Sequence, residues 1–356
     1  MERKYYNVIG VMSGTSLDGI DFAYVKIAVK PQYNAQIIKA ETQPYHHFWV
    51  EKLQEALQYT KNQLEELNTS YTQYLGEAIN RFIEKNNISR DHIDAVCSHG
   101  HTILHQPDQG YTLQIGNLPE LARIIQCKTV CDFRVQDVAL GGQGAPLVPI
   151  GDQLLFSAYD YCLNLGGFAN VSMQKENIRI AYDICAVNTV LNTYAQKLGK
   201  AYDAEGAFAK AGTINTSLLE ELNALPFYKK TYPKSLGVEW VQGIIFPLIH
   251  RYRLDPKDVL ATFTEHIAQQ LAHQFDEKCS VLVTGGGAYN EFLMYRLQKL
   301  KDIKVVLPDD LLIEYKEALI FGLLGVLKLE GVINCLSSVT GASKDHSSGV
   351  VIDYTY

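Results

Sequence analysis

Gly10-Val11-Met12-Ser13-Gly14-Thr15-Ser16-Leu17-Asp18-Gly19-Ile20-Asp21 joins two runs of strand character. Before it, residues 5–12 are rich in aromatic, β-branched and apolar side chains. After it, residues 21–27 largely alternate polar and apolar, as a half-buried strand does. The connection gathers glycines and hydroxyls around Asp18, residue types that suit tight turns and expose N–H and O–H donors. Such a turn can wrap phosphate oxygens and hold a hydrated Mg²⁺. An ordinary hairpin turn has the same local pattern, so the stretch alone does not decide between them.

The same arrangement returns in the second half. Residues 160–165 read as a strand, Gly166-Gly167 as a turn and residues 168–173 as a second strand. Two such hairpins facing each other would grip a polyphosphate, which suggests a two-domain ATPase or kinase with a central ATP cleft. A third glycine element, Gly285-Gly286-Gly287-Ala288-Tyr289-Asn290, lies between strand 280–284 and a helix beginning at Glu291. That order lets backbone approach a ligand at a helix N-terminus and fits the nucleoside end of such a site. Asp183 ends strand 178–183 beside the second hairpin, where a carboxylate can act as a general base; capping of the following helix is the structural alternative.

The 356 residues suffice for two full-sized cores, and 47% hydrophobic with 20% charged residues is an ordinary globular composition. A formal net charge of −7 argues against a general nucleic-acid or anionic-membrane binder. Seven dispersed cysteines without CxxC spacing read as reduced thiols, and residues 1–4 lead directly into a strand, so a cytoplasmic protein is expected.

Between the hairpins, residues 50–86 carry two apolar helical stripes, with Thr69 or Ser70 as an N-cap dividing them. His99, His101 and His105 follow strand 93–97; a polar loop at the strand's C-terminal end is preferred to a zinc site. Residues 134–149 combine glycines and prolines with Arg134 and Asp137, next to Asp132, and read as the lining of a cleft.

Residues 13–21, 132–149 (DFRVQDVALGGQGAPLVP), 164–172 (NLGGFANVS) and 284–290 (TGGGAYN) resemble the signatures of the anhydro-N-acetylmuramic acid kinase family. Weaker matches keep the same order from about residue 8 to the C-terminus. The resemblance implies an α/β, two-domain actin-like ATPase fold of the sugar kinase, Hsp70 and actin type, with duplicated phosphate-binding β-hairpins. It implies residues 1–133 plus a tail of about 338–356 as domain I. Domain II is then 134–337, with the second phosphate hairpin and the nucleoside site.

The implied reaction opens 1,6-anhydro-N-acetylmuramic acid with water at C1 and phosphorylates the freed O6 from ATP·Mg²⁺, in cell-wall recycling. By motif, Asp183 resembles the acid that activates the water. Gly14, Thr15, Ser16, Leu17, Asp18, Gly19, Ile20 and Asp21 would hold ATP phosphates, with Mg²⁺ possible near Asp18. Gly166, Gly167 and Asn170 would face them, Gly285, Gly286, Gly287 and Asn290 would border the nucleoside, and Thr102, Gln114 and Glu317 would contact sugar. A homodimer is implied as well.

One departure stands out. After the acid, family members commonly carry Thr-Gly-Pro-Gly-Asn, whereas this chain has Ile184-Cys185-Ala186-Val187-Asn188. The rival readings are an ordinary sugar kinase, a weakened nucleotide-binding protein, and an actin- or chaperone-like nucleotide switch.

Overall fold

The computed structural model of the chain describes residues 4–14, 16–29 and 32–355. They divide into two compact units, Met1–Leu155 with Tyr315–Tyr356, and Phe156–Glu314.

In the first unit, β1 (Tyr5–Ser13), β2 (Gly19–Ala28) and β3 (Asn34–Pro44) form an antiparallel meander. On its other edge β1 pairs in parallel with β4 (Ala95–Gln106), which also pairs with β5 (Tyr111–Ile115) and β6 (Thr129–Cys131). Strand Val350–Ile352 closes the far edge of the sheet. Apolar alternation buries Ile9, Val11, Ile20 and Phe22 against helix Lys61–Lys85, where Phe22 stacks on Phe82 with ring centroids 5.3 Å apart.

The second unit repeats the plan. β7 (Tyr161–Leu165), β8 (Phe168–Lys175) and β9 (Ile178–Ala186) are antiparallel neighbours, while β10 (Ser280–Thr284) and β11 (Lys304–Val306) extend the sheet in parallel from β7. Its core joins Leu163, Leu165 and Val283 to Phe263, Ile267 and Leu271 of helix Pro256–Ala272. Asp255 caps that helix through the Lys257 N–H, as its Asp-Pro start requires. Taking the first three strands and the two parallel additions, both sheets have the order third, second, first, fourth, fifth. The duplication is therefore structural as well as textual, and it gives the actin-like, sugar-kinase fold class expected from the sequence.

Three expectations change. Residues 61–85 are one continuous helix, started by a Thr60–Gln63 capping box, with no break at Thr69 or Ser70. Their hydroxyls instead donate to the carbonyls of Glu65 and Glu66, four residues back. The histidine stretch is not a loop but part of β4, with β5 pairing from His101 to Gln106 around a bulge between Thr102 and Leu104. The boundary also moves: residues 134–155 and 315–337 belong with the first unit rather than the second. The reason is packing. Helix Asp310–Leu329 is kinked at Tyr315, and beyond it Ala318 and Ile320 lie against Gly10 and Gly151 of the first unit. Among the described residues no helix is long and apolar enough to cross a membrane.

A β-carbon on Gly10 would overlap the Ala318 carbonyl oxygen, a backbone atom that cannot swing away. Gly10→Ala should cost about 1–3 kcal/mol of stability as overpacking. A denaturant midpoint equal to that of the parent would show that the helix yields there.

Candidate active site

In the first unit the glycine turn between β1 and β2 is held by its own side chains. The Ser16 hydroxyl donates to Asp18 Oδ1 at 2.7 Å, and Leu17 has a positive φ of 59°. Ser16 and Asp18 are exposed, whereas Gly19 and Ile20 are buried, so the first pair faces solvent and the second anchors the turn in the sheet. Asp21 accepts from the Thr42 hydroxyl at 2.6 Å on β3. Thr15, expected at the phosphates, lies outside the described residues.

Thr102 and Gln114 are cross-strand partners on β4 and β5, and the Gln114 amide donates to the hydroxyls of Thr102 (3.3 Å) and Thr112 (2.8 Å). Its Oε1 is buried with no hydrogen-bond partner. Glu317 lies within electrostatic reach of Arg134 and Asp18. Burial raises its carboxyl above the usual range, with Asp18 pushing the same way and Arg134 opposing. Arg134, whose own pKa burial lowers to about 10, donates to His99 Nε2 at 2.7 Å and to the Gly144 carbonyl at 2.6 Å. Each of the three histidines has its own partner: His99 takes Arg134, His101 takes the Ser13 hydroxyl and His105 takes Thr112. Burial lowers the His101 pKa to about 4, so the ring is neutral at physiological pH.

In the second unit the Gly166-Gly167 turn joins β7 and β8. The backbone N–H groups of Val187 and Thr189 donate to the Gly167 carbonyl, and that of Asn188 donates to Gly166. Asn170, exposed on β8, is the cross-strand partner of Asp183 on β9. The strand does not end at the acid, as expected, but continues to Ala186. Register slips between Asn170 and Ala169, so Ile184 sits in a bulge directly after Asp183. Asp183 Oδ2 accepts the Leu236 N–H at 2.8 Å, and the Asp183 N–H donates to the Lys234 carbonyl. Burial raises its pKa above the ordinary carboxylate value, while the Leu236 hydrogen bond and the Lys234 ammonium pull it down.

Beyond β10, Gly285 adopts a φ of 81° and packs on the Leu165 carbonyl, where a β-carbon would crowd backbone. Gly286, Gly287 and Asn290 border a cavity of about 320 Å³, shared with Asn188, Tyr202 and Glu205. Asn290 also caps helix Glu291–Leu300 through the Leu293 N–H at 2.9 Å.

The family model for anhydro-N-acetylmuramic acid kinase matches residues 6–354. A protein of that name from Mannheimia succiniciproducens is 36% identical across 99% of each chain. One from Sulfurimonas denitrificans is 33% identical across 97% of this chain and 99% of its own. The chain belongs to the anhydro-N-acetylmuramic acid kinase family. Among solved structures, the activator of the 2-hydroxyisocaproyl-CoA dehydratase from Clostridium difficile aligns over 92% of this chain and 96% of its own, at 12% identity and a TM-score of 0.44.

Within this kinase fold the structure adds residues that motif reading did not select. Tyr202 and Glu205, within the YDAEG string at 202–206, line the cavity beside the third glycine element together with Asn188, the asparagine of the pattern after Asp183. Lys316 and Asp152 form a buried ion pair, 2.7 Å apart, next to Glu317. Lys234 has no motif; only its position across from Asp183 reveals it.

Replacing Lys234 with Met keeps an apolar stem against the Tyr182 and Phe227 rings and removes the cation that lowers the Asp183 pKa. The acid limb of the kinase pH profile should therefore move to higher pH. An unmoved limb would mean that Lys234 does not tune the group that limits turnover.

Proposed function

We propose that this chain phosphorylates 1,6-anhydro-N-acetylmuramic acid while opening its anhydro ring, giving N-acetylmuramic acid 6-phosphate and ADP. Asp183 takes a proton from water as the water oxygen bonds to C1. The C1–O6 bond breaks, and the freed O6 accepts the γ-phosphoryl group as ADP leaves. MgATP is the second substrate. The first-unit turn (Gly14, Thr15, Ser16, Leu17, Asp18, Gly19, Ile20, Asp21) and Gly166, Gly167 and Asn170 of the second unit bind its phosphates, with Asp18 close to the hydrated Mg²⁺. Gly285, Gly286, Gly287 and Asn290 border its nucleoside. Thr102, Gln114 and Glu317 hold the sugar. The reaction takes place in the cytoplasm, where ATP is available.

The observation that carries this reading is the state of Asp183. Its carboxyl is half-buried and raised in pKa, so it is a stronger base than a solvated aspartate. It is nevertheless anchored by one backbone N–H, with its second oxygen left for a water or hydroxyl. Gln114 supports the sugar assignment in the same way, because its buried Oε1 suits a hydroxyl or amide donor.

The sign of the pKa shift separates catalysis from stability. A carboxyl whose folded pKa is raised contributes stability at low pH that is lost as pH rises through that value. Asp183→Asn keeps the acceptor for the Leu236 N–H and removes the buried charge. It should fold at least as stably as the parent at pH 7 and still bind ATP, yet lose at least about 10²-fold in turnover, the scale of a general base. Near-normal turnover would make Asp183 structural.

Reaction in ¹⁸O-water tests the chemistry itself. Early product should carry ¹⁸O at C1 and none in the phosphoryl group, before the reducing sugar exchanges that oxygen with solvent. Phosphorylation of an ordinary reducing sugar, with the anhydro sugar left intact, would favour a simple sugar kinase and sink the proposal.

A further inference from the structure

Asp137, Cys335 and His346 are drawn from distant parts of the sequence into one buried cluster in the first unit. Asp137 lies on the short helix Val135–Ala139, while Cys335 and His346 face each other across an isolated antiparallel bridge. Their exposures are 0%, 1% and 6%, so water does not solvate the group. Among the described residues they are the one set of three such side chains whose ligand atoms all lie within 4.8 Å of one another.

The histidine gives the cluster its direction. His346 Nδ1 stands 3.1 Å from the Lys344 carbonyl oxygen, which can only accept, so Nδ1 carries the proton. In the neutral ring Nε2 then presents a bare lone pair. That atom is buried without a hydrogen-bond partner and lies 3.6 Å from Asp137 Oδ1. Two electron-rich atoms facing each other in a dry pocket repel unless a cation stands between them. A histidine whose other nitrogen donates to a backbone carbonyl is the usual arrangement of a metal ligand. Cys335 Sγ lies 3.1 Å from the same carboxylate oxygen. In a zinc tetrahedron with bonds of about 2.0–2.3 Å, ligand atoms stand roughly 3.2–3.7 Å apart, close to these separations.

We propose that Asp137, Cys335 and His346 form a structural zinc site, completed by the Thr340 hydroxyl directly or through a water. That hydroxyl is 2.8 Å from Asp137 Oδ1. On binding, the Cys335 thiol releases its proton to solvent and its thiolate bonds the metal. Carboxylate, thiolate and Zn²⁺ together are electrically neutral, which suits a buried position. The metal would pin the C-terminal segment to the glycine loop that follows Arg134, because Asp137 Oδ2 accepts the Gly144 N–H at 2.7 Å.

The test uses the full chain, exposed to zinc, desalted and analysed for metal, with Co²⁺ titrated into the metal-free protein in parallel. About one zinc per chain should be retained, with about one proton released per metal. Cobalt should give a thiolate charge-transfer band, lost in Cys335→Ser, and His346→Gln should weaken retention at least about tenfold. Should Cys335→Ser fail to fold, the parent and His346→Gln still decide. A parent that keeps no more zinc than His346→Gln and shows no cobalt–thiolate band overturns the site.

Discussion

The first unit depends on a helix lying on its sheet at backbone distance. Gly10 of β1 meets the Ala318 carbonyl, Gly322 meets Val8, Gly325 meets Cys97, and Gly151 makes room for Ile320. Side chains at these points would force helix Asp310–Leu329 away from the strands. Closeness here fixes what the helix carries at its other end. Lys316 is held on Asp152 with both side chains about 5% exposed, and Glu317 is placed by the next residue step near Arg134. A buried ion pair adds little net stability but strongly resists losing either member. The glycine contacts and the pair together therefore set the position and charge environment of Glu317, before any substrate contributes.

The second unit reaches the same end by strand pairing. The turn at Gly166-Gly167 has its carbonyls tied down by the N–H groups of residues 187–189, immediately after β9. The strand bearing Asp183 and the turn proposed to bind phosphate are thus one hydrogen-bonded assembly. A displacement of either would break bonds of the other, which is the rigidity that positioning a nucleophile requires.

Legibility in the sequence followed the range of the interaction. Both hairpins and the third glycine element are written in neighbouring residues, and the structure has them where the pattern put them. The helix of residues 61–85 misled because Thr69 and Ser70 have two local uses, a cap or a bond to the preceding turn, and sequence does not say which. The extent of β4 depended on β5, a partner further along the chain. Arg134 with His99, Lys316 with Asp152 and Asp137 with Cys335 are separated by tens to hundreds of positions, and no local period encodes such meetings.

The departure after Asp183 now has a physical meaning. Where the family pattern has glycines and a hydroxyl, Ile184, Cys185, Ala186 and Val187 are all buried in the core of the second unit. Fully burying a side chain of the size of Ile184 or Val187 stabilises by about 1.5–3 kcal/mol. In this chain the segment is a strand end with apolar anchors. The bulge at Ile184 absorbs the extra residue, keeping Asp183 opposite Asn170 while Cys185 and Ala186 pair with Ala169 and Phe168. Asn188, retained from the pattern, begins the helix and borders the cavity beside Gly287. The substitution thus alters how the acid is supported rather than whether it is supported. Side-chain packing fixes the backbone next to Asp183, and what holds the carboxylate is the Leu236 N–H, outside that segment altogether.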